Sequence, residues 1–252
     1  MKLLRLLSLP LLSLSLTAVL LAQGGPSPYP PKSDEAAWPG SGPIRVGEWM
    51  DHNRAAFWQQ REKGRGAVVF IGDSLIGGWK GLAGAFPGIK VANRGIGGDV
   101  SRGTLYRFEE DVLALNPRAL VFCVGTNDLS AHGDPADVVS NIALMVAMAR
   151  ETNPGLPIIV CTIPPRNVPT APLKPGALEE LNSLLGAFAT DKEKLVVADL
   201  FAALATPEGA PDPAYIGKDG IHITAAGFEK CGEVLRPALA SLGVVAPPPD
   251  KK

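Results

Sequence analysis

The sequence predicts an α/β protein whose parallel β-sheet is covered by helices on both faces. Short, near-continuous apolar runs recur along the chain, the clearest being residues 67–71 (AVVFI) and 119–124 (ALVFCV). Strands of this composition are typical of parallel sheets that are buried on both faces. Helical patterns separate the runs, and this alternation produces such a sheet. A compact polar or glycine-rich cluster follows each run, and ligands of open parallel sheets bind beyond the carboxyl ends of the strands.

Strands and helices are predicted to alternate along the body of the chain. A helix that contains Trp49, Phe57 and Trp58 precedes the first strand. Pro135 suits the first turn of a helix, and Thr224 can cap the last one. The predicted strands cover residues 67–71, 90–92, 119–124, 157–163 and 195–198, and the later helices cover residues 100–115, 134–150, 175–190 and 224–242.

The composition is that of an ordinary globular protein. Hydrophobic residues make up 46% of the 252 residues and charged residues 19%, which excludes disordered and collagen-like chains. A formal net charge of −1 without a basic stripe argues against nucleic acid as a partner. Three cysteines are too few and too scattered for a disulfide scaffold or a zinc cluster. We expect buried free thiols, because Cys123, Cys161 and Cys231 fall in apolar or helical patterns.

Residues 1–22 are predicted to be a cleavable signal peptide. Lys2 and Arg5 give a positive start, residues 6–21 form an apolar run, and Ala22 is a small residue at which a signal peptidase can cut. The alternative is an uncut membrane anchor, but a run of about 16 residues is short for a span of roughly 20. We therefore expect a secreted or periplasmic protein with no stable membrane anchor after processing.

The remainder is predicted to be one domain with two accessory segments. Residues 23–43 are rich in Pro, Gly and Ser, which predicts an extended linker or an arm that lies on the surface. Residues 44–245 carry the alternating pattern and form the predicted domain. Residues 246–252 form a short tail.

Ser74 is the candidate nucleophile. It lies in residues 72–75 (GDSL), directly after the first strand, at a turn that presents its hydroxyl outward. A serine hydroxyl is a poor nucleophile and needs an adjacent base. His222 suits this role because Asp219, three residues earlier, can hold Nδ1 while Nε2 takes the Ser74 proton.

Three donors are predicted to form an oxyanion hole. Asn127, in residues 125–128 (GTND) after the third strand, offers a side-chain amide. Gly98, in residues 93–99 (NRGIGGD) after the second strand, offers a backbone N–H, and its missing Cβ lets the main chain approach a substrate. The Ser74 N–H at a helix N-terminus is the third donor. Donors that are already aimed at a developing oxyanion are what acyl transfer requires.

Each motif alone has an ordinary explanation. GDSL can be a helix cap, GTND an Asx turn and DGIH a surface turn. GIGGD can be a phosphate-binding loop, although it lacks the full G-x-G-x-x-G phasing. Their common position after successive strands favours one site at one edge of the sheet.

Taken together, these motifs resemble those of the SGNH (GDSL) hydrolase superfamily, over roughly residues 65–240. The family's serine, oxyanion glycine, oxyanion asparagine, triad aspartate and base histidine fall on Ser74, Gly98, Asn127, Asp219 and His222. The resemblance implies a flavodoxin-like, three-layer α/β/α sandwich of about five parallel strands. It implies no metal and no cofactor. The sequence segments FIGDSL, NRGIGGD and IPPR are most similar to those of the branch that contains platelet-activating-factor acetylhydrolase catalytic subunits and bacterial acetylesterases.

The resemblance also implies an activity. Members of that branch favour short acyl groups, often acetate, and many exported bacterial relatives deacetylate carbohydrates. We therefore expect a serine esterase that acts on a small-molecule or carbohydrate ester. The alternatives are a lysophospholipase or thioesterase with a longer acyl chain, and a non-catalytic carbohydrate-binding module on the same scaffold.

Other polar residues lie near the predicted strand ends. Arg166 and His132 are candidates for substrate contact, with a surface salt bridge and a solvated loop position as the respective alternatives. Asp73 and Asp128 are expected to hold loop N–H groups rather than to do chemistry. Trp79 is expected either to line the pocket or to pack in the core.

Overall fold

A five-stranded parallel sheet forms the centre of the fold. The computed structural model describes residues 24–189 and 193–247, so the predicted signal peptide at residues 1–22 lies outside the described residues. The strand order is β2-β1-β3-β4-β5, with helices on both faces, which confirms the predicted three-layer α/β/α sandwich. The strands are β1 (Val68–Gly72), β2 (Val91–Gly95), β3 (Ala119–Cys123), β4 (Ile158–Cys161) and β5 (Leu195–Ala198).

Eleven α-helices lie within the described ranges, and side chains cap the starts of two long ones, including the predicted cap at Thr224. Asp134 accepts a hydrogen bond from the Ala136 N–H at 2.8 Å, and Thr224 accepts one from the Gly227 N–H at 3.1 Å. The helices are α1 (Glu48–Gln59), α2 (Arg61–Gly64), α3 (Ser74–Gly77), α4 (Leu82–Ala85), α5 (Ser101–Tyr106), α6 (Phe108–Asp111), α7 (Thr126–Ser130), α8 (Pro135–Thr152), α9 (Ala177–Ala189), α10 (Leu200–Leu204) and α11 (Ala225–Ser241).

The sheet is the core of the molecule. Every residue of β1 and β3 is buried, as expected for central strands covered on both faces. The three cysteines are free and buried, as predicted. Burial raises the pKa of the Cys231 thiol to about 12, so this side chain behaves as a small apolar group. Among the described residues, no helix has the length and hydrophobicity needed to cross a membrane.

The prediction of one helix over residues 100–115 was wrong. This segment is divided into α5, α6 and a short 3-10 helix, with a break at Arg107. The Arg107 guanidinium is fully buried, where it pairs with Asp99 at 2.8 Å and donates to the Gly72 carbonyl at 3.2 Å. A buried charge must be paired, and this requirement overrides the helical periodicity of the segment.

Residues 24–47 form an arm that lies against the body. Tyr29 and Trp38 stack with their ring centroids 5.6 Å apart, and both rings contact Tyr106. With Met50 they belong to a small second core. The buried Arg102 guanidinium donates to carbonyl groups of the arm, including that of Pro39 at 3.1 Å. Burial of aromatic rings, at about 1.5–3 kcal/mol for each fully buried side chain, fixes the arm and the start of α1 on the body.

Candidate active site

Ser74 lies at the carboxyl end of the central strand β1. Asp73 caps the short helix α3 by accepting the Leu75 N–H at 2.9 Å, and Ser74 is the first residue of that helix. Asp73 is buried, and desolvation raises the pKa of its carboxyl to about 7. Asp73 thus holds a backbone N–H group, but one in the first turn of α3 and not in a loop, while the half-buried Ser74 side chain lies against His222.

The structure brings Ser74, His222 and Asp219 together. His222 Nε2 lies 3.0 Å from Ser74 Oγ, and His222 Nδ1 lies 2.7 Å from Asp219 Oδ2. A proton on Nδ1 then bonds to the carboxylate and leaves Nε2 free to accept the hydroxyl proton. The side chains of His222 and Asp219 are both about half exposed, so a substrate can reach them from solvent.

The turn that carries His222 is held by Asp219 itself. Asp219 Oδ1 accepts the N–H groups of Ile221 at 3.0 Å and His222 at 2.9 Å. These backbone hydrogen bonds, together with the His222 imidazole, lower the pKa of the Asp219 carboxyl to about 2. Asp219 therefore stays ionised until the pH falls towards 2, and its contribution to stability is lost progressively as the pH falls from the ordinary carboxyl pKa of 3.8 towards 2.

Gly220 is required in this turn by both its conformation and its surroundings. Its φ is +74°, and a Cβ here would lie 1.8 Å from the Asn167 carbonyl oxygen. Asn167 in turn donates its N–H to the Gly220 carbonyl at 2.8 Å. The loop after β4 thus holds the base-bearing turn at the sheet edge, a role for Asn167 that was not apparent in the sequence.

The three predicted oxyanion donors follow the neighbouring strands β1, β2 and β3, at the same edge of the sheet. Within the described residues, the N–H groups of Ser74 and Gly98 have no protein acceptor. Gly98 has φ +81°, a conformation that favours glycine, and a Cβ on the adjacent Gly97 would lie 3.9 Å from the Ser74 Cβ. Asn127 Nδ2 donates one hydrogen to the Asp99 carbonyl at 3.0 Å and keeps a second hydrogen for another acceptor.

Asp128 joins two helices next to the candidate site. Its carboxylate accepts the Ser101 hydroxyl at 2.6 Å and the Ser101 N–H at 3.0 Å, so it holds backbone as expected. Burial raises the pKa of Asp128 to about 7, against the hydrogen bonds from Ser101, which lower it. Asp128 thereby ties the start of α5 to α7, the helix that carries Asn127.

Arg45, in the arm, and Trp49, at the start of α1, contact the residues predicted to form the oxyanion hole. Arg45 Nη1 donates to the Gly98 carbonyl at 3.2 Å and to Asn127 Oδ1 at 3.3 Å. Trp49 Nε1 donates to the Gly97 carbonyl at 2.8 Å. Neither residue was predicted to be part of the site, because nothing in the local pattern of residues 44–50 indicates which loop their side chains contact.

Arg166 and His132 differ in their surroundings. Arg166 is half-buried and bonds to the protein, with Nη1 3.1 Å from the Thr126 carbonyl and Nη2 3.2 Å from the Ala171 carbonyl. It joins the loops after β3 and β4, and its contact with substrate stays a prediction. His132 is exposed, at φ +56°, beyond the end of α7. Throughout the described ranges, His, Cys, Asp and Glu side chains form no group of three or more suited to a metal ion.

An open groove of about 720 Å³ lies between the segment after α3 and the start of α11. Ile223 lines it on one side and Gly78, just after α3, on the other. The buried Trp79 ring stacks on Phe228, with centroids 5.1 Å apart, and both rings line the groove. Trp79 therefore packs in the core and lines a cavity at once.

Comparison with known proteins gives one family. The model of the GDSL-like lipase/acylhydrolase family matches residues 70–230. The chain is 27% identical to human platelet-activating factor acetylhydrolase IB subunit alpha1 over 214 residues, which cover 78% of this chain and 84% of the relative.

Solved structures share the fold. A GDSL-like lipase from Bacteroides thetaiotaomicron has 26% identity and a TM-score of 0.66, covering 77% of this chain and 99% of its own. A carbohydrate esterase of family 3 from Talaromyces cellulolyticus has 18% identity and a TM-score of 0.52, covering 70% of this chain and 97% of its own. At that identity the likeness is one of fold.

Proposed function

Because this chain belongs to the GDSL-like lipase/acylhydrolase family of SGNH hydrolases and is an ester-cleaving enzyme, we propose that it is a serine esterase with Ser74 as nucleophile. The observation that carries the proposal is the continuous contact from Ser74 Oγ through both nitrogens of His222 to Asp219. A nucleophile, a base and a group that orients the base are the parts that covalent catalysis of ester hydrolysis needs.

The reaction proceeds in two halves. Ser74 Oγ attacks the ester carbonyl while His222 Nε2 takes its proton and then returns it to the leaving alcohol. Asp219 orients the imidazole and stabilises its charged form. The N–H groups of Ser74 and Gly98 and the Asn127 amide hold the oxyanion. Water, deprotonated by His222, then attacks the acyl-enzyme and releases the acid and free Ser74.

We further propose a preference for short acyl groups. Support comes from relatives whose names describe acetylhydrolases. The groove lined by Ile223 favours the second candidate, an enzyme for longer acyl chains, because its volume of about 720 Å³ is large enough to hold such a chain.

An acyl-length series separates these candidates. We expect kcat/KM to be highest for acetyl esters and to fall by at least about tenfold, or roughly 1.4 kcal/mol, for octanoyl and longer esters. The measurement is hydrolysis of p-nitrophenyl esters from acetate to palmitate, below their micelle-forming concentrations. A maximum at long chains would reject the short-chain proposal in favour of a lysophospholipase or thioesterase.

We propose that the alcohol part of the ester substrate is a carbohydrate. Trp49 supports this choice, because its ring is 50% exposed at the rim of the oxyanion hole. Its Cζ2 lies 3.7 Å from where a Gly98 Cβ would be. An exposed aromatic face beside the reacting centre offers a stacking surface for a sugar ring.

Two Trp49 variants test this role. The readout is the ratio of kcat/KM for an acetylated xylo-oligosaccharide to that for ethyl acetate, which has no ring to stack. Trp49→Ala removes the stacking surface, so the ratio should fall by roughly tenfold. Trp49→Phe keeps an aromatic face and should leave the ratio nearly unchanged. An unchanged ratio in Trp49→Ala would mean that Trp49 does not recognise the sugar.

We also propose that the enzyme acts outside the cytoplasm, secreted or in a periplasm. The support is the charge and hydropathy pattern of residues 1–22. The buried free thiols are compatible with a secreted protein and with a periplasmic one.

A further inference from the structure

We propose that Arg45 and Trp49 are positioning residues that fix two of the three oxyanion donors. This inference rests on the proposed esterase function and deepens it. Both residues lie before the family match, which begins at residue 70. The oxyanion hole is thus completed by a part of the chain outside the matched region.

Arg45 acts on Asn127. Its Nη1 donates to Asn127 Oδ1 at 3.3 Å, while Asn127 Nδ2 donates to the Asp99 carbonyl at 3.0 Å. An amide rotated by half a turn would present its NH₂ group to the Arg45 cation and its oxygen to the Asp99 carbonyl. Both contacts would then be unfavourable, so the pair selects the orientation that leaves one Nδ2 hydrogen for the oxyanion.

Trp49 acts on the second donor through a single peptide group. The Gly97 carbonyl and the Gly98 N–H belong to the same planar trans unit and point in opposite directions. The Trp49 Nε1 hydrogen bond of 2.8 Å to Gly97 O therefore sets the direction of the Gly98 N–H. A hydrogen bond to the carbonyl also polarises the peptide and strengthens its N–H as a donor.

Contacts of the arm and of the first turn of α1 anchor the backbone that carries these two side chains. Ser41 Oγ donates to Asp137 at 2.6 Å, and the Ser41 N–H donates to the Asn141 side chain at 3.1 Å. After Arg45 along the chain, the fully buried Met50 anchors the first turn of α1. Preorganised donors are effective because they do not have to reorient during the reaction.

A double-mutant cycle tests the action of Arg45 through Asn127. Arg45→Ala should lower kcat on ethyl acetate by roughly ten- to a hundredfold, less than the loss of a whole donor, with KM changed by no more than about threefold. Asn127→Ala should lower kcat further. Because Arg45 acts on the Asn127 amide, the double variant should be slower than Asn127→Ala by no more than about twofold. Arg45→Lys keeps one donor and should restore part of kcat.

Arg65→Ala is the matched control. Arg65 is also exposed, and it donates to a protein carbonyl, that of Ala114 at 3.4 Å, away from the site. Its removal should leave kcat unchanged, and all variants should keep the thermal midpoint of the wild type. The Arg45 role is overturned if Arg45→Ala keeps kcat within about twofold of wild type. It is also overturned if the fold-loss of kcat in the double variant equals the product of the fold-losses in the two single variants.

Trp49→Phe tests the second positioning contact. Phenylalanine keeps the ring and loses the indole N–H, so kcat should fall by roughly three- to tenfold on sugar ester and ethyl acetate alike. An unchanged kcat would overturn the Trp49 role. The failure of these predictions is distinguishable from failure of the proposed function, which would appear as an inactive wild type.

Discussion

Replacement of Ser74 by alanine is expected to lower kcat for ester hydrolysis by roughly a millionfold, to the level that binding and the oxyanion hole alone provide. Alanine removes the Oγ that lies 3.0 Å from His222 Nε2, and with it the nucleophile that His222 is proposed to activate. The fold should persist, because alanine suits the first position of α3 and keeps the backbone N–H.

Three measurements check this result. They are the turnover of p-nitrophenyl acetate, labelling by a fluorophosphonate probe, and a thermal unfolding curve. Ser241→Ala is the control, because Ser241 is an exposed serine at the end of α11 whose hydroxyl donates to the Ala238 carbonyl at 2.8 Å. Substantial turnover in Ser74→Ala would defeat the proposed nucleophile. A wild type that neither hydrolyses esters nor labels would favour the non-catalytic carbohydrate-binding module.

Replacement of Asp219 by asparagine is expected to lower kcat by roughly ten-thousandfold with little change in fold. The reason lies in the different partners of the two carboxylate oxygens. Oδ1 accepts two backbone N–H groups of the turn, so the asparagine oxygen must occupy that position. The asparagine NH₂ then faces His222 Nδ1 and forces the proton onto Nε2. In that tautomer the imidazole cannot accept the Ser74 proton.

The Asp219→Asn effect is checked by kcat and by the tautomer itself. Nitrogen chemical shifts of the His222 ring should change from an Nδ1–H to an Nε2–H pattern. Asp212→Asn is the control, because Asp212 likewise holds a turn, through the Ala214 N–H at 2.8 Å, outside the triad. Wild-type turnover in Asp219→Asn would show that Asp219 has no part in orienting the base.

The strands and the candidate triad could be predicted because their signals are local. An apolar run such as residues 119–124 predicts a buried strand from its own composition, and β3 lies within it. Parallel strands all end at one edge, so clusters after separate strands are predicted to meet there. For this reason Ser74 and Asp219 could be placed near each other from the sequence, although they are remote along the chain.

The remaining features depend on tertiary contacts that no local pattern encodes. The break of residues 100–115 at Arg107 follows from the burial of one guanidinium beside Asp99, a partner that periodicity does not reveal. Arg45 lies just after the Pro-rich segment of residues 23–43, in a stretch whose composition does not indicate what its side chains contact. Its contact with Asn127 depends on tertiary contacts elsewhere in the arm, among them the packing of Tyr29 and Trp38 and the hydrogen bonds of Ser41.

The long chain distance between the two ends of the triad affects how the enzyme matures. The hydrogen bond between His222 and Ser74 joins residues 148 positions apart. A ribosome therefore delivers the nucleophile well before the base, and a nascent polypeptide has no competent triad until β5 and the turn before α11 have emerged. Recovery of turnover during refolding should accordingly report assembly of the whole sheet, from its first strand to its last.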